Sequence, residues 1–166
     1  MGQADDDPFA RLLAEHADFG EKLTELEATL DEMMARREAT EENRELLDEA
    51  LRFFDEELMP HFRLEEEIVL PTLEARIGRF GTLVNVIAYE HDEVRREIAK
   101  LKEARAALSD GRDPWPAIQE LNRHGIFAIQ FLADHFRKER TSLFPTARSE
   151  LTPQELETIR FRLVSA

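Results

Sequence analysis

Residues His61 to Pro71 read HFRLEEEIVLP, and residues His135 to Pro145 read HFRKERTSLFP. Both open His-Phe-Arg, both place Glu four residues after the His, and both reach Pro ten residues after it. The two stretches begin 74 residues apart. Each follows a Glu-His pair in a similar frame. AEHADFGEKL contains His16, 45 residues before His61, and YEHDEVRREI contains His91, 44 residues before His135. The chain is written as two units of one pattern, a His followed by HxxxE.

Around these motifs apolar residues recur at alternating steps of three and four, the helix period. A first helix is predicted from Pro8 to Arg37, with Phe9, Leu12, Leu13, His16, Phe19, Leu23, Leu26, Leu30 and Met33 on its inner stripe. A second starts at Thr40 as N-cap and runs to about Leu70. Its stripe is Leu47, Leu51, Phe54, Leu58, His61, Glu65 and Val69, with a kink expected at Pro60 and a stop at Pro71. Residues 72–81 read as a turn or short helix. A third helix spans about Thr82 to Leu108, with Val84, Ile87, His91, Val94, Ile98 and Leu101 inward.

SDGRDPWP is the clearest loop. A fourth helix then runs from about Pro116 to Leu143, with Leu121, Ala128, Phe131, Leu132, His135, Glu139 and Leu143 inward and Pro145 as its stop. Thr152-Pro153-Gln154-Glu155 supplies a cap, a first-turn proline and a reaching Glu, so a short helix is expected over about 153–163. The fold class is all-α: an up-down-up-down four-helix bundle with a short additional C-terminal helix, one domain over 1–166 with its bundle core at about 9–145.

Composition agrees. The 166 residues suffice for one domain with a sizeable core, and 42% hydrophobic against 35% charged residues is a globular balance. A net charge of −14 argues against nucleic acid and anionic membrane as partners. The chain contains no Cys, which removes disulfide, thiolate and zinc-cysteine sites. The opening MGQADDDP lacks the basic-then-apolar order of a signal peptide and has Asp6 where myristoylation wants Ser or Thr. GIFAIQFLA is too short to span a bilayer. These features together read as a cytoplasmic protein, of open oligomeric state.

Six inward residues do not suit an apolar core: His16, His61, Glu65, His91, His135 and Glu139. A buried carboxylate is costly unless paired or metal-bound. His at i and Glu at i+4 share a helix face about 6 Å apart along the axis. Two HxxxE helices and two single-His helices therefore offer four imidazoles and two carboxylates to one cavity. That set suits iron, manganese or zinc. Six ligands exceed one tetrahedral zinc and suit two metals, each with two His, bridged by two carboxylates. Singly, a His on an apolar stripe is usually a hydrogen-bonded core residue, and a lone HxxxE a surface ion pair. A His on the inner face of all four helices, with Glu at +4 on two of them, shifts the balance to a metal site.

The pattern H…HxxxE…H…HxxxE, with LP and FP closing the two HxxxE motifs, resembles the hemerythrin-like, or HHE cation-binding, domains over roughly Phe9 to Pro145. The resemblance implies two non-haem iron ions, oxo- or hydroxo-bridged, inside the bundle. By it, Glu65 and Glu139 would bridge, His16 and His61 would serve one iron, and His91 and His135 the other. Oxygen-carrying members have a further His one turn after the helix 3 His, where this chain has Arg95. Arg95 is read as an ion-pair partner for a carboxylate or a donor to an oxygen species at the metals, a cofactor-binding role. Glu66 and Glu90 adjoin ligand positions and are candidates for a seventh contact. Gly20 leaves room beside the metal. His124 lies about 16 Å along the helix from His135 and is read as a core or rim residue. Trp115 and Tyr89 carry no assigned chemistry.

Three functions compete. The first is chemistry with O2, NO or peroxide at a di-iron site; four His point to sensing or peroxide turnover over oxygen transport. The second is non-enzymatic iron storage or a metal-responsive interaction module. The third is a structural polar core that takes up zinc adventitiously.

Overall fold

The computed structural model describes residues 6–166. Residues 1–5 of the acidic N-terminal stretch discussed above lie outside the described residues. Among the described residues there are five helices and no strand: α1 (Ala10–Arg36), α2 (41–77), α3 (Leu83–Ala106), α4 (115–150) and α5 (Pro153–Ser165). Short connections fold α1 to α4 back on one another as an antiparallel bundle. No described helix is long and apolar enough to cross a membrane.

Local chemistry sets the helix ends. Arg37 takes a left-handed conformation, φ 57°, and its N–H donates to the Met33 carbonyl at 2.8 Å, closing α1. Thr40 caps α2 as expected. Its hydroxyl accepts from the Asn43 N–H, and the Asn43 side chain accepts in return from the Thr40 N–H. Gly78, φ 77°, ends α2 with its N–H on the Glu74 carbonyl. Asp113 accepts from the Trp115 N–H to start α4. Thr152 and Glu155 form the reciprocal capping box of α5.

Pro71 and Pro145 do not end their helices, contrary to expectation; α2 continues to Ile77 and α4 to Glu150. A proline inside an α-helix removes a hydrogen bond and drives its ring against the carbonyl four residues back. Here a five-residue π-turn precedes each one, Glu65–Val69 before Pro71 and Glu139–Leu143 before Pro145. The residue just before each proline donates five residues back, Leu70 to Glu65 and Phe144 to Glu139. The wider turn gives the ring space. Pro60 is accommodated in the same way, after a π-turn over Phe54–Leu58.

The π-turns also keep the inner face inward. His61, Glu65, Val69 and Leu73 are all buried, as are His135, Glu139, Leu143 and Ala147. Each set comprises three consecutive steps of four. In a regular α-helix twelve residues rotate the last position about 120° away from the first. Absorbing one extra residue in a π-turn removes most of that drift.

The core consists of two apolar clusters. One contains Phe19, Leu58, Phe62, Val94 and Leu132; the other contains Leu12, Val69, Ile87 and Leu143. On α1 His16 separates Leu12 from Phe19, on α3 His91 separates Ile87 from Val94, and on α2 and α4 the HxxxE residues mark the same border. The polar layer lies between two greasy ones. Helix α5 completes the second cluster with Ile159 and Leu163. Arg11 of α1 donates to the terminal carbonyls of α5 at Leu163 and Ala166, groups that have no intrahelical partner.

Two substitutions test this docking. Leu163→Ala should destabilise the bundle by about 2–5 kcal/mol through a core cavity. Thr152→Ala should lose about 1 kcal/mol of cap. Urea unfolding followed by circular dichroism measures both, and an unchanged midpoint for Leu163→Ala would show that α5 is not part of the core.

Candidate metal centre

The bundle brings all six candidate ligands together. Among the described residues two groups have ligand atoms mutually within 4.8 Å: His16, His61, Glu65 and Glu139, and Glu65, His91, His135 and Glu139. Both carboxylates belong to both groups. The imidazole Nε2 atoms point at them. His61 Nε2 lies 2.8 Å and His91 Nε2 3.8 Å from Glu65 Oε1. His16 Nε2 lies 3.6 Å from Glu139 Oε2, and His135 Nε2 is in close contact with Glu139 Oε1. Each carboxylate therefore touches one imidazole of each group.

The donor atoms fit a cation. Both oxygens of Glu65, both oxygens of Glu139, both ring nitrogens of His135, His91 Nε2 and His16 Nδ1 are buried without a hydrogen-bond partner. Leaving a buried polar group unsatisfied costs about 1–3 kcal/mol, more for a charged one, so native cores avoid such concentrations. Of these atoms the four carboxylate oxygens and the Nε2 atoms of His91 and His135 face one space, beside the paired Nε2 atoms of His16 and His61 at 3.1 Å, and so many lone pairs together are what a metal ion satisfies. Four imidazoles and two carboxylates make a donor set of the iron, manganese and zinc type.

The rest of the repeated phrase orients the ligands. Glu15, next to His16, accepts from His61 Nδ1 at 2.8 Å. Its counterpart Glu90, next to His91, lies 3.5 Å from His135 Nδ1, a longer electrostatic contact, while Lys138 holds its carboxylate at 2.6–2.7 Å. Glu66, next to Glu65, accepts from His91 Nδ1 at 2.9 Å. Carboxylates behind the outer ring nitrogen fix the ring and raise its basicity toward a metal. Glu66 and Glu90 thus stand behind histidines. The Phe of each His-Phe pair stacks on the imidazole of the opposite unit, Phe62 on His91 at 3.8 Å and Phe136 on His16 at 4.4 Å.

Arg95 is an ion-pair partner, as one of the two expectations had it. Its guanidinium contacts Glu66 at 2.8 Å and Asp92 at 3.0 Å and lies over the Phe62 ring. Its link to the centre runs through Glu66 and His91. His124 stays apart from the cluster, with Glu97 at 2.7 Å and Glu120 at 3.1 Å. A Cβ on Gly20 would meet nothing within 4 Å. A groove of about 280 Å³ between α1 and the first half of α2, lined by Lys22, Leu26, Phe53 and Glu57, contains none of the six residues.

Burial and the neighbouring Glu65 carboxylate push Glu139 well above the ordinary range, which favours its protonated form. Burial would also raise Glu65, but the adjacent His61 outweighs this and holds it down. His61 moves the other way: against a desolvation penalty, Glu65 and Glu15 raise it to about 10. Burial and His61 lower His16 to about 3.

The profile of the hemerythrin HHE cation binding domain matches residues 7–147. The chain belongs to the hemerythrin HHE cation-binding family. No curated protein matches the chain. The hemerythrin match covers the four bundle helices through Ala147 and leaves α5 outside it. Sequence reasoning missed Glu15, Phe62 and Phe136 as orienting groups. The repeated Glu-His and His-Phe pairs were their signal.

Metal uptake by this hemerythrin domain should release protons. His61, raised to about 10, is protonated in the metal-free bundle near neutral pH and must lose that proton to ligate, and the upward shift of Glu139 favours a further proton there. Apparent affinity should therefore rise with pH through neutrality and fall in acid. Adding ferrous iron to apo-protein in weak buffer under anaerobic conditions, with an indicator dye, should report acidification; uptake without proton release contradicts this assignment.

Proposed function

We propose that the chain holds two iron ions and handles O2, NO or peroxide as a sensor or in peroxide turnover. The observation that carries the reading is that Glu65 and Glu139 each touch one imidazole of each group. Each of two carboxylates so placed could serve both metals of a pair. His16 and His61 would hold one iron, and His91 and His135 the other. Reduced iron in such a pair supplies electrons and open coordination positions for small oxidants and NO.

The protein residues supply the remainder. Two imidazoles for each metal, with Arg95 rather than a further His on α3, would leave more exchangeable positions than an oxygen carrier of this family offers. The ligand layer is dry: His61, Glu65, His91, His135 and Glu139 are at most 1% exposed, and His16 is 7% exposed. Apolar clusters on both sides exclude bulk water from the centre. Glu15 and Glu66 keep the outer nitrogens of His61 and His91 protonated and the Nε2 atoms free to ligate. Arg95 pins Glu66 and so tunes His91 from outside the centre.

Protein expressed with iron and purified without chelator should contain about two irons per chain, as the ligand count requires. Chelation should lower the melting temperature and iron should restore it, because the metals bind the folded state. Visible spectra should change with dithionite, air, azide and peroxide. A chain that binds at most one zinc and never iron ends the di-iron reading. A chain that holds two irons whose spectrum is indifferent to azide, NO and peroxide is a metal-holding module instead.

A further inference from the structure

The two units share their stacking and bracing groups, but one brace has no counterpart. Phe62 stacks on His91 and Phe136 on His16. Glu15 stands behind His61 and Glu90 behind His135, each within its own unit. Glu66, the residue after the first carboxylate ligand, crosses to the other unit and accepts from His91 Nδ1. The same relation carries position 66 to position 140, the residue after Glu139, and His91 to His16. Position 140 is Arg.

The outcome is visible at His16. Its Nδ1 is buried and has no hydrogen-bond partner, while His61 and His91 have carboxylates at 2.8 and 2.9 Å and His135 has one at 3.5 Å. Arg140 is exposed, and no ion pair holds it among the described residues. A guanidinium has no acceptor and cannot serve an imidazole N–H. Behind the ring His16 has only the stacked faces of Phe136 and Phe144, its Nε2 being turned to His61 and Glu139, and it is the most exposed of the six.

Resting on the two-metal reading above, we propose that Arg140 is a positioning residue that leaves His16 unbraced. The metal on His16 and His61 is thereby the more weakly held of the two. Carboxylate support behind a ligating histidine is typically worth about 10–100-fold in metal affinity. The asymmetry lies outside the ligand set, in one Glu-to-Arg difference between two copies of the same phrase. It gives the centre one metal that is firmly held and one whose coordination yields more readily.

The test is a competition titration of the full chain, loaded anaerobically with ferrous iron, against a chromophoric ferrous chelator. Wild type should show two affinities, one iron per chain each. Arg140→Glu should tighten the weaker by about 10–100-fold, drawing the two together. Arg140→Ala removes the charge without adding an acceptor and should leave the weaker site weak. Glu66→Ala should loosen the tighter site, and helical content by circular dichroism should be unchanged throughout. Two irons of equal affinity in wild type overturn the proposal, as does Arg140→Ala tightening the weak site as much as Arg140→Glu. Loading that stops below two irons overturns the two-metal reading itself.

Discussion

Two carboxylates and four imidazoles share one dry layer, and the rest of the bundle answers to them. Glu65 and Glu139 are fully buried, and both oxygens of each lack a donor. Removing such groups from water is tolerable only with opposite charge nearby. In the metal-free chain a protonated His61 supplies part of it, and the upward shift of Glu139 lessens the negative charge to be met. Two divalent cations would supply it fully. The apolar clusters on either side keep that electrostatic balance strong, since no bulk water screens the layer.

Holding six donors at one depth requires more than helix packing. The proline-linked π-turns at Glu65 and Glu139 start at the carboxylate ligands themselves. They let Val69 and Leu73, and Leu143 and Ala147, stay on the buried face after the ligand, so one helix serves both the polar layer and the second cluster. Around the imidazoles, carboxylates grip the outer nitrogens and phenylalanines cover the ring faces. Arg11 extends this support to the chain end, because it contacts both Glu15 and the last carbonyls of α5. The α5 helix, outside the family match, is thereby linked through Arg11 to Glu15, the carboxylate behind His61.

Much of this was legible in the residues. The three-four spacing identifies four long helices, and the HxxxE repeat with its Glu-His partners identifies the six donors, because side chains four apart on a helix must share a face. Helix ends at Thr40 and Thr152 could be read from capping chemistry, which is local. Pro71 and Pro145 were misread because proline's effect depends on whether the preceding turn can widen. The run of buried positions at 61, 65, 69 and 73 carried that information, but a step-of-four run reads as a π-turn only once Leu73 is known to be inside.

What the sequence by itself determined is the fold class and the placement of four histidines and two glutamates on four inner faces; these follow from helical periodicity and from the cost of burying charge. Only the tertiary structure decided which carboxylate stands behind which imidazole, because those partners lie on different helices, as Glu15 does from His61 and Glu66 from His91. It decided that Arg95 grips Glu66 and that both carboxylates face both histidine pairs. It also showed that His16 alone has no carboxylate behind its Nδ1. Periodicity says which side of a helix faces inward; only packing says what meets it there.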